Sequence, residues 1–286
     1  MTQTISFINM KGGVGKTTLA VNVAHGLASL HKKKVLIVDA DPQFNATQYL
    51  IEDDQYLEHI EDKKKATLRE IFVPRRPGPI NTVRGVSKHV NKTKVPLKAC
   101  TINVFDGGED RGKLDLIPST LSLIDLETSQ RLTETRLKGY LKDKASGYDY
   151  VLIDCPPTIS IFTQAAILAS DSYLVPIKPD PLSVIGLPLL ERWLEDFSDD
   201  AGVEVETVGL VFTLVRGPLP RRMKEVMQEL RKSRKDDVFE SHLSMATAVA
   251  QSVEAHQPVF NFRPDSNAAE QVRQITQEFL DRTSGE

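Results

Sequence analysis

Residues 10–18 read Met-Lys-Gly-Gly-Val-Gly-Lys-Thr-Thr, directly after the apolar run Ile5–Asn9 and directly before a stretch with helical spacing. A strand that breaks at such a glycine-rich turn and resumes as a helix is a phosphate loop. Gly12, Gly13 and Gly15 allow successive backbone N–H groups to turn inward as a nest for phosphate oxygens. The helix N-terminus adds a partial positive charge. In this frame Val14 and Thr18 complete the cradle, Lys16 reaches the β- and γ-phosphates, and Thr17 offers its hydroxyl to Mg²⁺.

The rest of the chain follows the same alternation. Short β-branched runs at Ile5–Asn9, Val35–Asp39, Val151–Asp154, Ser172–Ile177 and Val208–Thr213 are nearly all apolar. Strands buried on both faces look like this. Helices are expected near Lys16–Leu30, Thr158–Ala169, Val184–Phe197, Arg221–Ser233, Ala246–Ala255 and Ser266–Arg282. Thr101–Phe105 and Leu114–Pro118 add two short strands. The expected fold class is α/β, a doubly wound, mostly parallel sheet with helices on both faces. One domain over 1–286 is expected. Lys63–Lys98 breaks the rhythm, with PRRPGP at Pro74–Pro79 and KHVNKTK at Lys88–Lys94, and reads as a basic excursion at about 60–100.

Two apolar runs end in carboxylates. Val35–Gln43 reads VLIVDADPQ and Val151–Thr158 reads VLIDCPPT. Carboxylates at the carboxyl ends of strands lie in the crevice where α/β sheets bind ligands. Asp39, Asp41 and Asp154 therefore join Thr17 as candidates to hold Mg²⁺ and orient a water. An aspartate at a strand end also serves as a helix N-cap, the commoner use of a single such residue. Chemistry at such a site is positioning and charge neutralisation.

These strings carry a resemblance. The lysine at position 11 and Met10 in place of a first glycine make the deviant Walker A signature, K-G-G-x-G-K-[ST]. With D-A-D-P-Q, D-C-P-P and the tail P-V-F-N-F-R-P-D-S-N-A-A, the chain resembles the ParA/MinD superfamily of P-loop ATPases and leans towards ParA. The resemblance implies that Lys11 crosses a nucleotide-sandwich dimer to the partner's phosphates. It implies that Asp41 positions the attacking water, with Asp39 and Asp154 near the metal. Lys11, Lys16 and Asp41 are then the catalytic set, and ATP and Mg²⁺ the cofactors. GTPases read guanine with N-K-x-D, whereas Asn91-Lys92-Thr93-Lys94 lacks the aspartate, so ATP is the expected nucleotide. Pro264, in Phe262-Arg263-Pro264-Asp265, is the candidate adenine contact.

Charge bears on partners. The formal net charge is -3, yet Lys63–Lys98 holds eleven Lys or Arg against Glu70, and Arg216–Lys235 holds eight against two acids. Clustered cations suffice for phosphate contacts. Arg216, Arg221, Arg222, Lys224, Arg231, Lys232, Arg234 and Lys235 are the candidate DNA contacts, non-specific and nucleoid-associated by resemblance. A solvated helix face is the alternative reading of the same run. With the first strand beginning at about residue 4, operator-specific DNA reading by a preceding helix-turn-helix is not expected. Other partners implied are a second copy of the chain and a ParB-like or cargo-adaptor protein, the cargo being a plasmid, a chromosome origin or a protein body such as a carboxysome.

A MinD-like membrane role needs a basic amphipathic tail, but Ala269, Val272, Ile275, Phe279 and Leu280 read as a core face. No apolar run approaches the ~20 residues that span a bilayer, and no signal peptide opens the chain. Two cysteines, Cys100 and Cys155, fit a reducing cytoplasm and packing better than a shared iron–sulfur cluster.

Overall fold

The computed structural model describes residues 2–73, 95–108, 112–127 and 134–284. Eight strands form one sheet: β1 Gln3–Phe7, β2 Lys34–Asp39, β3 Ile102–Asp106, β4 Lys113–Ile117, β5 Tyr150–Asp154, β6 Ser172–Ile177, β7 Glu206–Val215 and β8 Val238–Ser244. Their order is β3-β4-β2-β5-β1-β6-β7-β8. Every pairing is parallel except β3 with β4. The mostly parallel α/β expectation holds.

Thirteen α-helices are seen among the described residues. The first six are α1 Lys16–Ser29, α2 Asn45–Leu50, α3 Asp53–Glu61, α4 Leu68–Phe72, α5 Leu97–Cys100 and α6 Ile124–Glu127. The others are α7 Thr135–Lys144, α8 Ile161–Ala169, α9 Pro181–Ala201, α10 Arg221–Ser233, α11 Thr247–Glu254, α12 Val259–Phe262 and α13 Asn267–Thr283. Alternate strand residues point to opposite faces. Val35 and Ile37 of β2 join a core with α1 and α13, while Leu36 and Val38 face α4, α7 and α8. On β7, Val211 joins the first core and Leu210 and Phe212 pack under α9 and α10.

Caps explain the helix that outran its expected bounds. Asp180 accepts from the Ser183 amide at 3.0 Å and Pro181 occupies the first turn, so α9 starts before Val184. Gly202 ends it with φ of 63°.

The excursion needs correction. Its described front part is core: Ala66, Leu68, Ile71 and Phe72 are buried. A capping box starts α4, with Thr67 accepting from the Arg69 amide and donating its own amide to Glu70 at 2.9 Å. Glu70 is therefore a buried capping acid, and it is no measure of surface charge. Pro74–Pro79 and Lys88–Lys94 lie outside the described residues.

Candidate nucleotide-binding site

The carboxyl ends of β1, β2 and β5 meet at one place because the strands are neighbours in register. Asp154 pairs with Phe7 on one side and with Asp39 on the other. The phosphate loop follows β1 directly. Gly13 and Gly15 adopt φ of 69° and 80°, conformations that a side chain would strain. Asn9 leaves the strand to brace the loop, accepting from the Lys11 amide at 2.8 Å and donating to the Pro176 carbonyl at 2.7 Å. Val14 is buried, and its carbonyl accepts from the Thr213 hydroxyl at the end of β7. Gly12 and Gly13 are exposed, leaving the outer rim of the loop open.

Lys16 is only 7% exposed and opens α1. Thr17 donates its hydroxyl to Asp154 Oδ2 at 2.7 Å. The other oxygen, Asp154 Oδ1, is buried and has no hydrogen-bond partner. Orphaned buried carboxylate oxygens are rare and call for a missing partner. A hydrated divalent cation between the Thr17 hydroxyl and Asp154 supplies one, so these residues fit Mg²⁺. No group of three or more His, Cys, Asp or Glu able to hold a metal occurs among the described residues. Two protein ligands plus substrate phosphates is how Mg²⁺ is usually held.

Burial pushes the Asp154 carboxyl up to about 6, with Lys16 and the Thr17 hydroxyl pulling the other way. Burial and then the charge of Asp154 push Asp39 well up too, opposed by bonds from Thr47. Asp39 differs from Asp154 in being fully engaged by the chain. Its Oδ2 accepts the Thr47 amide and hydroxyl at 2.8 and 2.7 Å, and its Oδ1 accepts the Asp41 amide at 3.2 Å. Asp41 is buried, and its Oδ1 accepts from the Gln43 amide at 2.9 Å. Phe44 ends this loop with φ of 46°, a left-handed conformation that costs about 1–2 kcal/mol for a side-chain-bearing residue. Its ring stacks on Tyr56, with centroids 5.5 Å apart.

Lys11 is held within its own chain by an ion pair to Asp180 Oδ2 at 2.6 Å. Asp180 is the cap of α9, so the phosphate loop and that helix are tied. Sequence reasoning missed this partner, and it missed Thr47, Ser119 and Thr213. The Pro264 carbonyl accepts from Arg273 at 2.9 Å. The preceding helix α12 packs beside the middle of α1, where Val259 and Asn261 meet Asn22 and His25. The end of β7 also abuts the loop, with Thr213 and Leu214 within 4 Å of a side chain at Gly15.

The basic stretch is only partly free. Arg216, Arg221, Arg222, Lys224, Lys232 and Lys235 are exposed. Arg234 is a bidentate partner of Glu191 on α9, and Arg231 donates to the Glu240 carbonyl at 2.8 Å. Those two guanidinium groups fasten α10 to its neighbours. Arg221 pairs with Glu225 at 2.8 Å on an open surface, a contact worth about 0.3–0.5 kcal/mol. Cys155 is buried, and burial pushes its thiol up to about 12.

The family model AAA_31, an AAA domain, matches residues 2–206. This chain belongs to the AAA_31 family. The AAA_31 segment contains the phosphate loop, all three aspartates and Asp180. Relatives place the chain with ParA-family proteins over nearly its whole length. The virulence plasmid ParA family protein pGP5-D of Chlamydia psittaci is 29% identical over 96% of this chain and 93% of its own. The sporulation initiation inhibitor protein Soj of Bacillus subtilis is 28% identical over 97% of this chain and 98% of its own. A plasmid partition protein from Borrelia burgdorferi B31, solved bound to AMPPNP, shares the fold with a TM-score of 0.74. It is 23% identical and covers 99% of this chain and 100% of its own.

Proposed function

We propose that this ParA-family chain is a Mg²⁺-dependent ATPase whose nucleotide state drives positioning of a cargo, a plasmid or chromosome origin. The observation that carries the reading is the Thr17–Asp154 pair, with its unpartnered Asp154 oxygen, set beneath a glycine cradle. The loop amides and the N-terminus of α1 would bind the phosphates. Lys16 would offset the charge on the β- and γ-oxygens, and Asp41 would orient the attacking water. Mg²⁺, when bound, would neutralise phosphate charge and polarise the reacting phosphoryl group.

In this reading two chains close around nucleotide, Lys11 leaves Asp180 for the partner's phosphates, and the closed pair holds DNA without reading its sequence. A ParB-like partner then stimulates hydrolysis and release. Arg216, Arg221, Arg222, Lys224, Lys232 and Lys235 are the exposed cations for that contact. The α13 helix buries Ala269, Val272, Ile275 and Phe279 in the core shared with α1. Among the described residues no helix is long and apolar enough to cross a membrane. The burial of that apolar face favours DNA over a membrane surface as the platform.

Co-sedimentation with random-sequence DNA tests the reading. Binding is expected with ATP and Mg²⁺, weak without them, and falling by at least about ten-fold when salt rises from 50 to 200 mM. Binding indifferent to ATP would sink the positioning mechanism. The raised Asp154 carboxyl gives a second expectation, since a cation needs it ionised. The gain in AMPPNP affinity given by Mg²⁺ should be full above about pH 7 and fade as pH falls through about 6. A gain from Mg²⁺ that is undiminished at about pH 5 would remove Asp154 from the cation site.

A further inference from the structure

The loop that carries Asp41 is closed by a ring of hydrogen bonds. Asp39 Oδ2 accepts the Thr47 hydroxyl at 2.7 Å. Thr47 Oγ1 accepts the Ser119 amide at 3.1 Å. Ser119 donates its hydroxyl to the Asp41 carbonyl at 2.7 Å. The Asp41 amide returns to Asp39 Oδ1 at 3.2 Å. Asp39, Thr47 and Ser119 are each wholly buried. Three separate pieces of chain meet here: the end of β2, the first turn of α2 and the residue after Pro118 beyond β4. Tyr56 adds an outer brace, donating its hydroxyl to the Ser119 carbonyl at 3.1 Å while its ring stacks on Phe44.

The ring explains local choices that otherwise conflict. Phe44 gives α2 no side-chain cap. The amides of a helix's first turn need acceptors from elsewhere, and Asp39 supplies one to Thr47 across eight residues. A carboxylate so used holds the loop in its left-handed bend at Phe44. It has both oxygens occupied by protein donors, whereas Asp154 keeps one open. Fixing both the amide and the carbonyl of Asp41 leaves its side chain as the part of that residue able to address a substrate.

We infer that Thr47 and Ser119 are positioning residues for hydrolysis, and that Asp39 acts as the anchor of the Asp41 loop instead of as a holder of the cation. The inference rests on the ATPase reading and adds to it three residues with defined jobs. Removing the Thr47 hydroxyl opens the ring at two bonds and strands the buried Ser119 amide. Removing the Ser119 hydroxyl opens it at one. Neither side chain makes a hydrogen bond to the phosphate loop, so nucleotide affinity should survive both changes.

The experiment compares the full chain with Thr47→Val, Thr47→Ser and Ser119→Ala. It measures ATP turnover with Mg²⁺, AMPPNP affinity by calorimetry and amide hydrogen exchange. Thr47→Val should lower kcat by at least about ten-fold while KM and AMPPNP affinity stay within about two-fold. Thr47→Ser should restore kcat to within about three-fold, and Ser119→Ala should lower it by about three- to ten-fold. Exchange across residues 40–50 should quicken in Thr47→Val and not in Thr47→Ser. A Thr47→Val kcat within about two-fold of the native chain overturns the inference, and so does a fall in AMPPNP affinity as large as the fall in kcat. If Thr47→Val does not fold, Ser119→Ala decides, and an unchanged kcat overturns the inference. A native chain that binds AMPPNP yet never turns ATP over instead defeats the ATPase reading, a result separable from the others.

Discussion

Lys16→Ala should weaken AMPPNP binding by at least about a hundred-fold. A hydrogen bond to a charged group contributes about 1.5–3 kcal/mol. Contacts to two phosphates then reach about 3 kcal/mol, and each 1.4 kcal/mol is ten-fold in affinity. The backbone nest and the helix N-terminus survive the substitution, so binding falls without vanishing. The cost to the fold is small for a specific reason. Lys16 is a favourable charge for the buried Asp154 carboxyl, which already sits at about 6. Without it, Asp154 can take up a proton near neutrality instead of standing as an unpaired buried charge. Calorimetry with AMPPNP and Mg²⁺, beside a thermal melt, separates the two effects. Affinity within about ten-fold of the native chain would mean that Lys16 does not meet the phosphates.

Asp41→Ala should do the opposite: leave binding and stop turnover. No hydrogen bond joins the Asp41 side chain to Thr17, Lys16 or the loop amides. Among the described residues its carboxylate accepts only the Gln43 amide in its own loop. Alanine keeps the backbone amide and carbonyl that the Asp39–Thr47–Ser119 ring holds. Misplacing a reacting water by about 1 Å costs roughly a hundred-fold in rate, and losing its orienting group should cost at least that. Single-turnover assays should show slow hydrolysis with AMPPNP affinity within about three-fold. Gel filtration with ATP should show an accumulated dimer. Normal turnover would strip Asp41 of its role.

The centre of the site was legible because its parts are local. The phosphate loop spans nine consecutive residues, and Asp39 and Asp154 end apolar runs, so periodicity alone places them at strand ends. What connects them was not legible. Ser119 lies 72 residues from Thr47, and Asp180 lies 169 from Lys11. No local pattern announces such pairs. The strand β8 was missed because an edge strand is buried on few positions, and its sequence VFESHLS mixes apolar with polar residues. The helix α4 was missed for a different reason. Averaging charge over Lys63–Lys98 hid Thr67-Leu-Arg-Glu70, a capping signature ahead of Ile71 and Phe72 that the sequence did contain. Arg234 was counted as a free cation since Glu191 lies 43 residues away and charge counting sees only neighbours.

The end of the sheet at β8 has a consequence for assembly. An open edge strand offers backbone donors and acceptors to any passing strand, including that of another copy. Here α13 supplies substitutes. Glu278 accepts the amides of Glu240 and Ser241 at 3.0 and 3.2 Å, and Gln271 accepts that of Ser244 at 2.9 Å. Arg282 in turn holds Glu278 at 3.0 Å and lies over the ring of Phe239. Three amides that a neighbouring strand could use are already bonded. Lengthening the sheet from copy to copy is disfavoured at this end.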